Sequence, residues 1–342
     1  MMELPKISVF SLGGTIASAK AGEFGVAPSL GAEELVAVAP DLSQVAEIET
    51  VSLRQVPSPG ITLADIRQVA DFISSRVAQG CDGVVITQGT DTLEEVAFSL
   101  DLLLDVDIPV VITAAMRNPT QLGSDGPANI SAAVRVAASP LARGLGVLVV
   151  MNDEIHAARF VQKVHTQSVG AFRSFPLGPL GWVAEGDVRV LTRPVIRRPL
   201  GALPMGNKDV AVALLTMTAF DDGRLVRAAC DLGFAGVVVQ ALGGGHSPPW
   251  VIEDLVRLAG TMPTVMVSRT NSGEILRHTY GFPGSETDLV ARGLIPAGYL
   301  TGAKARVLLL LLLRAEADRR EVIEAFQGWT SPANAVGQFR TR

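Results

Sequence analysis

The chain has 342 residues, 48% hydrophobic and 18% charged, with a formal net charge of −5 at pH 7. That composition excludes a disordered chain and supplies enough apolar residues for a large core, expected to be shared between two domains. An acidic balance without a basic run argues against nucleic acid as partner, and the longest leucine run, Val307 to Leu313, is far too short to span a membrane.

Met1 leads through Glu3 and Lys6 straight into an apolar strand, Lys6 to Leu12, with no charged-then-apolar leader, so the expected location is the cytoplasm. Gly13-Gly14-Thr15-Ile16-Ala17 follows at once. The two glycines permit positive φ and close backbone approach, and they deliver the Thr15 hydroxyl to a strand's carboxyl end. Ser18 to Pro28 has two glycines, small residues and no period, which predicts a mobile loop acting as a lid or an ordinary surface connection. A helix is expected over Gly31 to Ala39 and a strand over Ala46 to Leu53. Val56-Pro57-Ser58-Pro59-Gly60 is a turn that places Ser58 at a strand end, and Thr62 to Asp65 opens a helix running to Gln79.

The central stretch runs from Val84 to Glu95. Asp82-Gly-Val-Val-Ile is β-branched and apolar, as suits a strand covered on both faces. Thr92 and Glu95 fit a capping box, and Leu93, Val96, Ala97, Leu100, Leu103 and Leu104 share one helical face. Thr90 and Asp91 therefore fall between a strand's carboxyl end and a helix mouth, where open α/β sheets bind ligands. On their own they read sooner as turn and capping residues. A second glycine-broken loop, carrying Thr15, favours a shared crevice.

Ile108 to Thr113 is the next strand. Asp125 and Pro127 read as a structural helix start, with the helix following over Ile130 to Ala138. Gly146 to Asp153 is a strand, followed by Ala158 to Thr166 with Lys163, whose default reading is a solvated charge. The strand–helix alternation from Lys6 to Thr166 predicts a mostly parallel sheet. Thr192 to Asp209, rich in Pro, Gly and Arg, is the expected linker between an N-terminal α/β domain over 1–191 and a smaller C-terminal α/β domain over 210–342. Strands are expected there at Val210–Thr216, Gly236–Ala241 and Thr264–Ser268. The matching helices are at Gly223–Asp231, Trp250–Ala259, Ala303–Ala315 and Arg319–Gln327. Cys81 and Cys230 are too few and too distant for a disulfide framework, so buried thiols are expected, and no metal or cofactor.

Together, Ser11-Leu-Gly-Gly-Thr15-Ile-Ala17 and Thr87-Gln-Gly-Thr90-Asp91-Thr-Leu-Glu-Glu95 resemble the two signature segments of the bacterial-type L-asparaginases. That family includes glutaminase-asparaginases and the asparaginase-like subunit of an archaeal tRNA-dependent amidotransferase. Segments from Ala114 and Ser124, and the one carrying Lys163, resemble further parts of it. The resemblance implies a threonine nucleophile at Thr15 and a trio of Thr90, Asp91 and Lys163 that relays protons or activates water. It implies a substrate-binding serine at Ser58, and turns around Gly14 and Gly89 whose amides face the oxyanion. It also implies a homo-oligomer, dimer or tetramer, whose subunits share active sites.

The departures are as specific. Where the family often has glutamine this chain has Pro59. The family's loop tyrosine, which activates the first threonine, is missing; Phe24 and Val26 are nearby. Tyr280 stands where a neighbouring subunit's glutamate is expected, and His246 where asparagine is usual. Either His246 and Tyr280 take over the missing functions, or they reshape a substrate-binding pocket for a different amide. The expected function is an asparaginase-like amidohydrolase acting on a small carboxamide such as L-asparagine. The alternatives are a different amide, a non-catalytic binder on the same fold, or a glutaminase module feeding a tRNA amidotransferase. The last is disfavoured by the lack of a basic face.

Overall fold

The structure, a computed structural model, describes residues 3–20, 26–194, 199–200 and 210–329. It divides into two compact units, Met1–Gly201 and Ala202–Arg342. Most of the expected linker, 195–198 and 201–209 with Arg197 and Arg198, lies outside the described residues, as do Ala21 to Gly25 of the expected lid.

In the first unit, β1 (Lys6–Gly13) leads to a short hairpin of β2 (Ser18–Lys20) and β3 (Val26–Pro28), then α1 (Ala32–Ala37), β4 (Glu47–Val56) and α2 (Leu63–Ala78). Next come β5 (Gly83–Thr87), α3 (Leu93–Leu103), β6 (Val110–Thr113), α4 (Gly126–Ala138) and β7 (Val147–Met151). Five strands lie parallel in the order β7-β6-β5-β1-β4. Every residue of β5, β6 and β7 is buried, which is why these segments are continuous runs of Val, Ile and Leu. Edge strand β4 instead alternates exposed and half-buried residues, with Glu47 and Glu49 at its outer end. The chain visits β4 on one side of β1 and then β5 on the other. The topological switch point therefore falls between β1 and β5.

Beyond Met151 the strand–helix alternation stops. β8 (Glu154–Ala157) folds back antiparallel on β7, β9 (Val161–Lys163) pairs antiparallel with β10 (Phe172–Ser174), and β11 (Gly181–Ala184) with β12 (Asp187–Val190). The expected parallel sheet thus gains three antiparallel strands, β8, β11 and β12, at one edge. Asn152 and Asp153 at φ of 53° and 61° make the first reversal, and Glu185 at φ 55° with Gly186 the last.

Three other expectations are corrected. Part of the Ser18–Pro28 loop is the β2–β3 hairpin. Cys81 and Cys230 are unpaired and only partly buried, Cys81 because it sits in the turn before β5. The capping box forms at Thr62, not Thr92. Asp65 donates its N–H to Thr62 Oγ1 at 3.2 Å and its carboxylate accepts from Thr62 N at 2.9 Å. Thr92 makes no cap bond, because its backbone (φ −114°, ψ 12°) is outside the extended region a cap needs and its hydroxyl donates elsewhere.

On β8, His156 is fully buried, its Nδ1 2.9 Å from Ser174 Oγ. Burial, aided by the nearby Arg173 charge, lowers its pKa to about 4. The unfolded chain binds this proton near pH 6.5. Stability from neutral His156 is therefore complete above pH 6.5 and is lost as pH falls towards 4, by on the order of 3 kcal/mol. Between pH 7 and 4.5 the thermal midpoint of the protein should fall more steeply than that of His156→Gln. Parallel curves would show that another group controls acid lability.

The second unit carries the parallel sheet β13 (Val212–Thr216), β14 (Gly236–Ala241), β15 (Thr264–Ser268) and β16 (Ile295–Pro296) in that order. Helices α5 (Arg224–Asp231), α6 (Ile252–Thr261), α7 (Glu286–Ala291), α8 (Gly302–Arg314) and α9 (Arg319–Gln327) complete it. Helix α8, which holds the leucine run, packs on β13, β14 and β15, with Leu308, Leu309 and Leu311 fully buried. Among the described residues no helix is long and apolar enough to cross a membrane.

Candidate active site

The carboxyl ends of β4, β1 and β5 are neighbours because those strands are adjacent and parallel. Each delivers a small residue to the same place. Gly14, at φ 83° and ψ −174°, lies against the next loop so closely that a Cβ there would overlap the backbone of Gln88 and Gly89. A Cβ on Gly89 would in turn sit 2.9 Å from Ser58 Cβ and Oγ. Three backbones therefore touch at the switch point, with Thr15 and Thr90 each one residue past the contact.

Gly14 donates its N–H to the Val56 carbonyl at 3.1 Å. That amide is committed to the sheet, so the expectation that it faces an oxyanion is corrected, and what Gly14 supplies is close approach. Thr15 opens a 3-10 turn pinned by buried Ile16 and Ala17, while Ser18 Oγ holds the Gly14 carbonyl at 2.8 Å. Thr15 itself is half-buried at the mouth of the loop.

The second loop is held from beneath. Ser58 begins a 3-10 turn rather than ending a strand, and it is 3% exposed. Its Oγ accepts from Asp91 N at 3.1 Å and its carbonyl from Thr92 Oγ1 at 3.0 Å. With its acceptor face used by Asp91, the Ser58 hydroxyl proton remains to be donated. Thr90 is 7% exposed.

Lys163 ends β9, and its ammonium reaches both loop residues. Nζ donates to Thr90 Oγ1 at 2.8 Å and to Asp91 Oδ1 at 2.6 Å. The default reading of Lys163 as a solvated charge is therefore wrong: its side chain is 16% exposed and Asp91 holds it. Asp91 remains 64% exposed, so the pair is only partly shielded from water. Asp125, as expected of a structural residue, accepts from the Met116 and Arg117 amides and from Asn129 Nδ2.

A hydroxyl, an amine and a carboxylate in line can pass a proton to or from a group bound beside Thr90. No group of three or more His, Cys, Asp or Glu side chains able to hold a metal occurs among the described residues. His246 and Tyr280 belong to the second unit, where their rings pack edge-on with centroids 4.9 Å apart. Glu286, which contacts His246 there, was not singled out from the sequence.

Residues 6–196 match the asparaginase N-terminal family model, and residues 211–326 match that of the glutaminase/asparaginase C-terminal domain. The chain belongs to the asparaginase family. It is 38% identical to the "Probable L-asparaginase" of Deinococcus radiodurans, over 94% of this chain and 97% of that protein. It is 32% identical to "L-asparaginase 2" of Escherichia coli, over 95% and 93%. A crystal structure of a probable cytoplasmic L-asparaginase from Campylobacter jejuni superposes with a TM-score of 0.84 at 30% identity, covering 94% of this chain and 99% of that one. The protein is thus an asparaginase-like amidohydrolase. The chain's two tyrosines both fall in the second unit, at Tyr280 and Tyr299.

Proposed function

We propose that the protein hydrolyses the side-chain amide of L-asparagine, or of a closely related small carboxamide, through a threonine acyl-enzyme. Thr15 Oγ1 attacks the amide carbon, and the C–N bond breaks as nitrogen takes up a proton and leaves as ammonia. Water then attacks the Thr15 ester, releasing the acid and returning the proton to Thr15. Thr90, Lys163 and Asp91 move the protons: Lys163 gives one to the leaving nitrogen through Thr90 and takes up in exchange the proton that Thr15 Oγ1 releases, and in the second step one proton of the water goes to Thr15 while the other leaves with the acid. Ser58 donates its free proton to the substrate carboxylate, and amides of the Gly89–Thr90 turn face the oxyanion. His246 and Tyr280 face the substrate in the assembled enzyme, a cytoplasmic homo-oligomer, dimer or tetramer, with shared active sites.

The observation that carries this reading is the contact of Lys163 Nζ with both Thr90 Oγ1 and Asp91 Oδ1 beside the Gly14–Gly89 junction. Relatives named L-asparaginase or probable L-asparaginase, matched over nearly their whole length, support the substrate class. A different amide is favoured by one feature, Tyr280 in place of the expected acid. Ammonia release from L-asparagine, L-glutamine and amides lacking the α-amino group separates the two. We expect release from L-asparagine, lost by a factor of about a thousand in Thr15→Ala. Hydroxylamine should trap the acyl group from the wild type and not from the variant. No ammonia from any amide would overturn the hydrolase reading for these substrates.

A further inference from the structure

The first unit contains a buried ion pair that the threonine chemistry does not use. Arg159 Nη2 donates to Asp101 Oδ2 at 3.0 Å, and the two side chains are only 4% and 3% exposed. Asp101 lies near the end of α3, and its other oxygen, Oδ1, accepts from Val147 N at 3.0 Å, at the start of β7. Arg159 lies in the turn between β8 and β9, four residues before Lys163. Taking two charges out of water is expensive, and an apolar pair of similar volume would hold the same elements together as well or better. The best-attested use of such a pair is to fix register.

The position of the pair shows what it fixes. Helix α3 and strand β9 pack together, with Val96, Leu100 and Val161 in one buried cluster. They are tied at both ends. Thr90 and Asp91, just before α3, hold Lys163 at the end of β9, and Asp101, near the end of α3, holds Arg159 ahead of β9. The two spans agree. Ten residues at ~1.5 Å of helical rise make roughly 15 Å, and four extended residues at ~3.3 Å make roughly 13 Å. Hydrophobic contact is non-directional, so the apolar cluster alone does not set how far β9 slides along α3. A charge pair with arms of fixed length does.

We propose that the Arg159–Asp101 pair is a register lock that positions Lys163 against Thr90 and Asp91. Arg159 and Asp101 are positioning residues, acting through Lys163. With the pair in place, the β9–β10 hairpin stops at the depth that brings Lys163 Nζ within 2.8 Å of Thr90 Oγ1. The consequence for turnover rests on the proton-relay reading of Lys163 given above, whereas the lock itself rests on the contacts.

Arm length is the test. Asp101→Glu lengthens the pair by one CH2, Arg159→Lys shortens it by one bond, and the two together restore the length, with both charges kept throughout. The readout independent of turnover is the Lys163 ammonium. Held by Thr90 and Asp91, it exchanges its protons with water slowly enough to give a ¹H–¹⁵N signal, whereas a freely solvated ammonium does not. The chain's lysines are Lys6, Lys20, Lys163, Lys208 and Lys304, so the Lys163 signal of the full-length protein is assigned by comparison with Lys163→Met. We expect each single variant to broaden or lose that signal and to lower kcat for L-asparagine about tenfold, with KM changed by less than about twofold. The double variant should recover the signal and return kcat to within about threefold of the wild type. Thermal midpoints are measured alongside. A Lys163 signal absent from the wild type or unmoved in both single variants overturns the lock. So does a kcat loss that follows the thermal midpoint alone, or a double variant as impaired as the two singles combined. Should either single variant fail to fold, a folded double variant with the signal restored supports the lock, and a double variant that is unfolded or lacks the signal overturns it. Ammonia release separates the two readings. A Lys163 signal that follows arm length in a protein that hydrolyses no amide removes the hydrolase reading and leaves the lock standing, whereas turnover with a signal indifferent to arm length removes the lock alone.

Discussion

Lys163→Met should lower turnover about a thousandfold with the fold intact, and Lys163→Arg should fail to restore it. The argument runs from geometry to protons. Lys163 Nζ touches both Thr90 Oγ1 and Asp91 Oδ1, at 2.8 and 2.6 Å. Methionine matches its length and keeps the apolar stem packed but has no proton to give. Arginine keeps the charge and can hold Asp91, yet it stays protonated throughout, so it can neither accept a proton nor return one. A purely electrostatic role would predict substantial rescue by arginine. Asp91→Asn should cost less, about ten- to a hundredfold, because it loosens the lysine without removing it. The loss should appear in kcat with KM little changed, since Lys163 acts on the reacting bond. Full activity in Lys163→Arg would replace proton relay by simple charge stabilisation.

Much of this site is visible in the residues themselves. Two glycine-broken strand ends carrying threonines mark the crevice, because only glycine allows such close backbone approach and only a short apolar run makes a strand buried on both faces. Lys163 is legible only through the family resemblance. Its long-range contact with Thr90 is set by the β9–β10 hairpin, and nothing local fixes where that hairpin lies. Asn152-Asp153 and Glu185-Gly186 are hairpin-turn signals for the antiparallel edge after Met151, but the preceding strand–helix rhythm masks them. The Thr92–Glu95 pattern misled for a different reason. Ser58 takes the Thr92 hydroxyl from 34 residues away, and a tertiary bond overrides a local motif. Glu286 is not legible in the sequence because an acid in the first turn of a short helix is ordinary, and only its complete burial against His246 makes it unusual.

Gly14→Ala should abolish activity and destabilise the first unit by more than about 3 kcal/mol, a larger structural effect than any loss of a catalytic side chain. Two costs coincide at this residue. Its backbone, at φ 83° and ψ −174°, lies in a region open essentially to glycine alone. Its missing Cβ is also the space occupied by the Gln88–Gly89 backbone, so the added methyl meets main chain and not a side chain that can turn aside. Relief requires β1 and β5 to part at their carboxyl ends, where Gly14 N also holds the Val56 carbonyl. Parting would carry Thr15 away from Thr90 and Lys163. Gly60→Ala is the matched control, since a Cβ there meets only Val56 Cβ at an ordinary 3.8 Å, and it should leave the thermal midpoint within about 2 °C of the wild type. A stable, active Gly14→Ala protein would show that the two threonine loops need not touch, and the shared crevice would lose its physical basis.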